Sequence, residues 1–114
     1  MIPVLRSREV IAATLDQADV RFDAFIGDGR RFEVVRARKL CALILRKDSG
    51  RGPSYPEIAR VMGRPSHSSV IAMVKSAEKI IKEGGDEAVR FDNLRCRIIA
   101  DASQRAEQRQ GTKT

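Results

Sequence analysis

The segment from Ser54 to Lys82 constrains the chain most, because it specifies two helices and the bend between them. Ser54-Tyr55-Pro56-Glu57 has the pattern of a capping box, in which the serine hydroxyl accepts from the Glu57 amide and the Glu57 carboxylate accepts from the Ser54 amide. Pro56 falls in the first turn, where its missing N–H costs nothing. The helix is short, with Ile58, Ala59, Val61 and Met62 apolar, and Gly63 follows where a left-handed C-terminal residue is expected. After Arg64-Pro65, Ser66 caps a longer helix. Its Val70, Met73, Val74, Ala77 and Ile81 recur at helical spacing on one side, while His67, Ser68, Ile71, Lys75 and Glu78 occupy the other. A short capped helix, a glycine turn and a longer helix make a helix-turn-helix.

The rest of the chain reads as helices that could bury this unit. Ser7 can cap a first helix that ends before Ala18-Asp19, and Val20, Phe22, Phe25 and Ile26 suggest one or two further turns stopped by Gly27-Asp28-Gly29. From Phe32 to Lys47 the apolar stripe is wide enough for a central helix, with Arg36, Arg38 and Lys39 on the faces it leaves free. Gly84-Gly85 ends the long helix after the turn. A last helix follows, with Phe91, Leu94, Ile98 and Ala102 on one stripe. A chain of 114 residues with 42% apolar content and no tryptophan fits one domain with an aliphatic core. The expected architecture is a single all-α bundle over residues 7–102, preceded by an arm over 1–6 and followed by a polar, disordered tail over 103–114.

The net charge of +7 is unevenly spread. Between Arg30 and Lys47 seven basic residues face Glu33 alone, whereas the stretch from Gly84 to Thr114 is nearly neutral. A clustered excess of this kind suits a polyanion, since each neutralised phosphate releases condensed counterions. Cys41 and Cys96 belong to no metal or redox motif and are expected as two buried free thiols in a reducing cytoplasm. Met1 to Leu5 is too short for a signal-peptide core, and no apolar run approaches membrane-spanning length.

In a helix-turn-helix the second helix sends its N-terminal residues to base edges in the major groove of double-stranded DNA. The first turn here is Ser66-His67-Ser68-Ser69, small hydroxyls around a histidine able to donate or accept. A helix N-terminus also presents free amides to phosphate. Lys75, further along, is a candidate phosphate contact. An ordinary capped helix pair with a surface histidine would share this pattern, and the basic segment upstream weighs against that plainer reading.

These residues carry a resemblance. The stretch SYPEIARVMGRPSHSSVIAMVKSAEKI resembles the C-terminal DNA-binding domain of DnaA, the bacterial replication initiator, in the Trp repressor-like helical class. The family's Ser-Leu-Pro-Glu-Ile is similar to Ser54 through Ile58, and its Gly-Gly-Arg-Asp-His-Thr-Thr-Val to Gly63 through Val70. Val34 through Lys39 is similar to Val-Ala-Arg-Pro-Arg-Gln, and Phe91 through Leu94 resembles the last segment. The resemblance implies that His67 and Ser68 enter the major groove, with Ser66 and Ser69 beside them. It implies that Arg30, or its neighbour Arg31, inserts into the adjacent minor groove, where a narrow A·T-rich tract concentrates negative potential. Arg38 matches a family arginine that reaches DNA; Lys39, Tyr55 and Pro56 match positions lying against it, with Ser54 and Arg64 flanking.

Three departures bear on the target sequence. Ser66 replaces the family's aspartate and so removes a carboxylate that could accept from a base amine; Ser68 and Ser69 replace threonines and lose methyls that could pack on thymine. Each such contact is worth roughly 1–3 kcal/mol of discrimination, so binding to DNA is a firmer expectation than recognition of the family's own site. No GxxxxGK[ST] loop occurs, and one histidine without a motif partner supports neither ATP chemistry nor any other catalysis. The expectation is a DNA-binding regulator of replication or transcription that needs no cofactor or metal. The alternative is a helical adaptor or dimeric module for a replication protein, suggested by Ile71 on the DNA-facing side and the neutral last helix.

Overall fold

The computed structural model describes residues 4–111, and those residues form six α-helices and no strand. They are α1 (Ser7–Ala18), α2 (Phe22–Ile26), α3 (Phe32–Lys47), α4 (Tyr55–Val61), α5 (His67–Glu83) and α6 (Gly85–Gly111). The all-α expectation holds, and every expected helix is present. Residues 1–3 of the expected arm lie outside the described residues. Its remainder is tied down: Leu5 is buried and its amide donates to Ser49 O at 2.8 Å.

α3 is the centre because its sequence is apolar around the full circumference. Leu40, Cys41, Ala42, Leu43, Ile44 and Leu45 are consecutive and all buried, which a helix allows only when neighbours cover every side. α1, α2, α4, α5 and α6 all touch it. From α5, Val70, Val74 and Ala77 enter the same core, and from α6 Phe91, Leu94 and Ile98.

The disordered tail expected from Ser103 is corrected: α6 continues through Gly111, and only residues 112–114 lie outside the described part. α6 runs antiparallel to α1, so Ala102 and Ala106 are buried in the core cluster despite the polar residues around them. Arg105 reaches Asp101 at 2.9 Å and Asp16 at 3.5 Å, and Arg109 reaches Glu9 at 2.6 Å. Glu9 is buried and also accepts from the Arg6 amide at 2.9 Å, so it closes the start of α1 where Ser7 was the expected cap; Arg6 takes the N-cap position. Burial alone would raise the Glu9 pKa. Its hydrogen bonds to Arg109 and the Arg6 amide, with the two positive charges, outweigh that and hold the carboxyl below its ordinary value.

The two thiols differ. Cys41 is buried in α3, and burial pushes its pKa up to about 12 against a lowering hydrogen bond with Thr14. Cys96 is exposed, which corrects the expectation of two buried thiols. It lies two positions before Ile98, away from the stripe of α6 that faces the core. Among the described residues no helix is long and apolar enough to cross a membrane, and no group of three potential ligands could hold a metal.

Candidate nucleic-acid interface

α4 begins as its sequence dictates. The Ser54 hydroxyl accepts from the Glu57 amide at 3.3 Å, and Glu57 Oε1 accepts from the Ser54 amide at 3.3 Å and from its hydroxyl at 3.0 Å. The hydroxyl proton of Ser54 is therefore engaged within the cap. Those hydrogen bonds hold Glu57 below the ordinary carboxylate range. Tyr55 is half-buried under the Arg46 guanidinium, which stacks 4.4 Å from the ring centroid and donates to Pro53 O at 3.0 Å. Pro56 is exposed, and Arg60, one turn later, shares its exposed side of the helix.

The end of α4 sets the bend. Gly63 has φ +67°, its amide donates to Arg60 O at 3.3 Å, and the Arg64 amide donates to Ala59 O at 2.8 Å. These are the two hydrogen bonds of a Schellman motif, and they turn the chain sharply into Ser66. Ser66 is extended and occupies the N-cap position of α5, but its side chain makes no capping hydrogen bond. Ser69 instead donates its hydroxyl back to Ser66 O at 2.8 Å and is half-buried. Ser66, His67 and Ser68 are exposed, and neither His67 nor Ser68 has a side-chain partner among the described residues. Lys75 lies two turns further on and is likewise exposed.

The loop between α2 and α3 is joined to this bend. Arg64 Nη2 donates to Ile26 O at 2.6 Å and to Gly27 O at 2.7 Å. The turn closes on the same segment: a Cβ at Gly63 would sit 3.4 Å from Ile26 Cβ. Arg64 was expected to flank DNA. Its guanidinium ties the turn to the loop that carries Arg30 and Arg31. Both of those arginines are exposed, Arg31 at the N-cap position of α3, and neither has a partner among the described residues.

Arg38 does not belong to this exposed surface. It is 5% exposed and donates to four main-chain oxygens: Nε to Phe25 at 2.8 Å, Nη1 to Gly29 at 2.6 Å, and Nη2 to Ala24 and Gly27 at 2.8 Å. Those carbonyls lie at and just beyond the C-terminal end of α2, where no further helical turn supplies amides to donate to them. Burial and the neighbouring Arg64 charge lower the Arg38 pKa, with Asp28 opposing, and the guanidinium stays protonated. The expectation that Arg38 lies on a free face of α3 is corrected, because four hydrogen bonds from its planar guanidinium find their acceptors inside the fold. Lys39 is half-buried at the edge of the same helix.

Of the expected residues, then, Ser66, His67, Ser68 and Lys75 share the exposed side of α5, Pro56 is exposed on α4, and Arg30 and Arg31 stand on a loop fastened to the α4–α5 turn. Arg38 and Arg64 build the joint between these parts. Arg46 was missed as the residue that positions Tyr55; its stacking is invisible in a linear reading because the α3–α4 loop brings the two together.

A family model described as the bacterial DnaA protein helix-turn-helix matches residues 7–77, more than half of the chain. No curated protein matches.

Proposed function

The chain belongs to the bacterial DnaA helix-turn-helix family, and from that premise we propose that it binds double-stranded DNA through a composite surface and acts by occupying sites, with no ATP chemistry of its own. His67 and Ser68 read base edges in the major groove, Ser66 and Ser69 border them, and the free amides of the first turn of α5 face a phosphate. Arg30 and Arg31 enter the neighbouring minor groove. Lys39, Lys75, Tyr55 and Pro56 lie along the backbone. The biological setting of such occupancy is the control of replication initiation or of transcription.

The observation that carries this reading is the fastening of the Arg30–Arg31 loop to the helix-turn-helix by Arg64. Two exposed, unpartnered elements held at a fixed separation suit two adjacent grooves of one rigid duplex, whereas an interface with a protein places no such demand on them.

Selection of bound sequences from a random duplex pool at physiological salt tests it. A recovered consensus that H67A/S68A weakens, while affinity for arbitrary duplex is unchanged, supports base readout. Contact with about five phosphates gives a slope of log K against log salt near −4 to −5. A slope near zero, with no consensus, would overturn the proposal in favour of a protein-binding module.

A further inference from the structure

α6 carries five arginines along a helix that the family match does not reach. Three turn back onto the bundle: Arg95 to Asp48, Arg105 to Asp101 and Asp16, and Arg109 to Glu9. Arg90 and Arg97 make no ion pair or hydrogen bond among the described residues, and both line one cleft. The cleft holds about 340 Å³ between the C-terminal end of α1, the first turns of α3 and the first half of α6. Arg36 lines it from α3. Its Nε is buried without a hydrogen-bond partner, since the nearest acid, Glu87, stays at 3.7 Å. Asn93 stands between Arg90 and Arg97 on the same stripe, Leu94 and Ala18 supply apolar wall, and Glu33 is the one acidic residue in the lining.

We propose that this cleft docks an acidic segment of a partner protein. Three guanidinium groups stand against the lining carboxylate of Glu33 and the Glu87 carboxylate 3.7 Å from Arg36 Nε, so the positive excess of the cleft rests on the unpaired Arg90 and Arg97, and Arg36 Nε lacks a hydrogen-bond acceptor. Spacing selects the form of the anion. Arg90 and Arg97 are seven residues apart on a helix, about 10 Å, too far for one phosphate to bridge. An extended peptide with acidic residues three positions apart spans about 10 Å and meets both.

The probe is a peptide of repeating Glu-Ala-Ala units, titrated into the isotopically labelled full chain and followed by NMR, with the glutamine version as control. The expected shifts centre on Arg36, Arg90, Asn93 and Arg97, and the control produces none. R90Q/R97Q weakens the peptide at least tenfold while leaving affinity for DNA within twofold; both side chains are exposed and unpartnered, so the fold is retained. E33Q strengthens the peptide about twofold to threefold by removing the repelling carboxylate of the lining. Shifts centred instead on Ser66 to Lys75, or wild-type peptide affinity in R90Q/R97Q, overturn the proposal. So does a fall of about 2 in the DNA salt slope of R90Q/R97Q, which would assign both arginines to phosphates. Weaker binding of the selected consensus in H67A/S68A with peptide affinity intact separates this site from the proposed DNA surface.

Discussion

Arg38 and Arg64 donate to one acceptor, the carbonyl oxygen of Gly27, at 2.8 and 2.7 Å. One arginine comes from the central helix and the other from the turn of the helix-turn-helix, so this oxygen is the point at which the core, the arginine loop and the turn meet. Two cations converge there because the end of α2 offers a cluster of carbonyls, the negative end of its dipole.

The two arginines should fail differently. R38A removes the donor from the Phe25, Ala24 and Gly29 carbonyls and one of two donors from Gly27, and is expected to cost about 3–4 kcal/mol, measured by urea unfolding. R64A removes a half-buried guanidinium and is expected to cost about 1 kcal/mol. Its main effect should be faster amide exchange from Gly27 to Arg31 and weaker binding to duplex, with the unfolding transition still cooperative.

Gly63 is required by its backbone. At φ +67° a side chain is strained, and the added Cβ would press on Ile26. G63A should destabilise by about 1–2 kcal/mol and loosen the α2–α3 loop as well, since that methyl meets the segment Arg64 holds. A loss of stability without increased exchange in the loop would show that the two are not coupled.

Minor-groove insertion predicts a sequence-dependent effect of Arg30. R30A should reduce affinity most for sites flanked by A·T pairs, and by about tenfold or less, in fluorescence anisotropy against matched G·C-flanked duplexes. If R31A shows that dependence and R30A does not, Arg31 is the inserting residue.

The Glu9 pair gives a pH dependence of known sign. The Glu9 pKa is lowered by folding, so its stabilisation is complete above the ordinary value of 4.5 and is lost as pH falls through the folded value. E9Q should cost on the order of 2–3 kcal/mol at pH 7 and show a flatter decline below pH 4.5 than the parent. Thermal unfolding between pH 3 and 7 measures both.

Thiol chemistry should count one reactive cysteine in the native chain. Cys96 is exposed, whereas Cys41 is buried with its pKa pushed up to about 12. A disulfide-exchange reagent at pH 8 should titrate one thiol, and two after denaturation.

By itself the sequence determined most of what rests on local chemistry, although the α1 cap fell to Arg6 and Glu9 rather than Ser7, and Ser66 makes no side-chain cap. Ser54 with Glu57, Pro56 and Gly63 specified α4 and its bend, and periodicity specified α3 and α5, because caps, φ preferences and helical spacing act within a few residues. The exposed first turn of α5 followed from the same pattern. The use of charge was decided only by tertiary structure. Of the basic cluster from Arg30 to Lys47, Arg38 turned inward onto carbonyls, Arg46 settled on Tyr55 and Lys47 approached Glu78 at 3.5 Å, leaving Arg30, Arg31 and the half-buried Lys39 without partners among the described residues. The apparently neutral last helix did the reverse: its acids and three of its arginines paired or faced outward, and Arg90 and Arg97 were left beside Arg36. A long charged side chain reaches partners far away in sequence, so linear clustering counts charges without revealing which of them the fold has already satisfied.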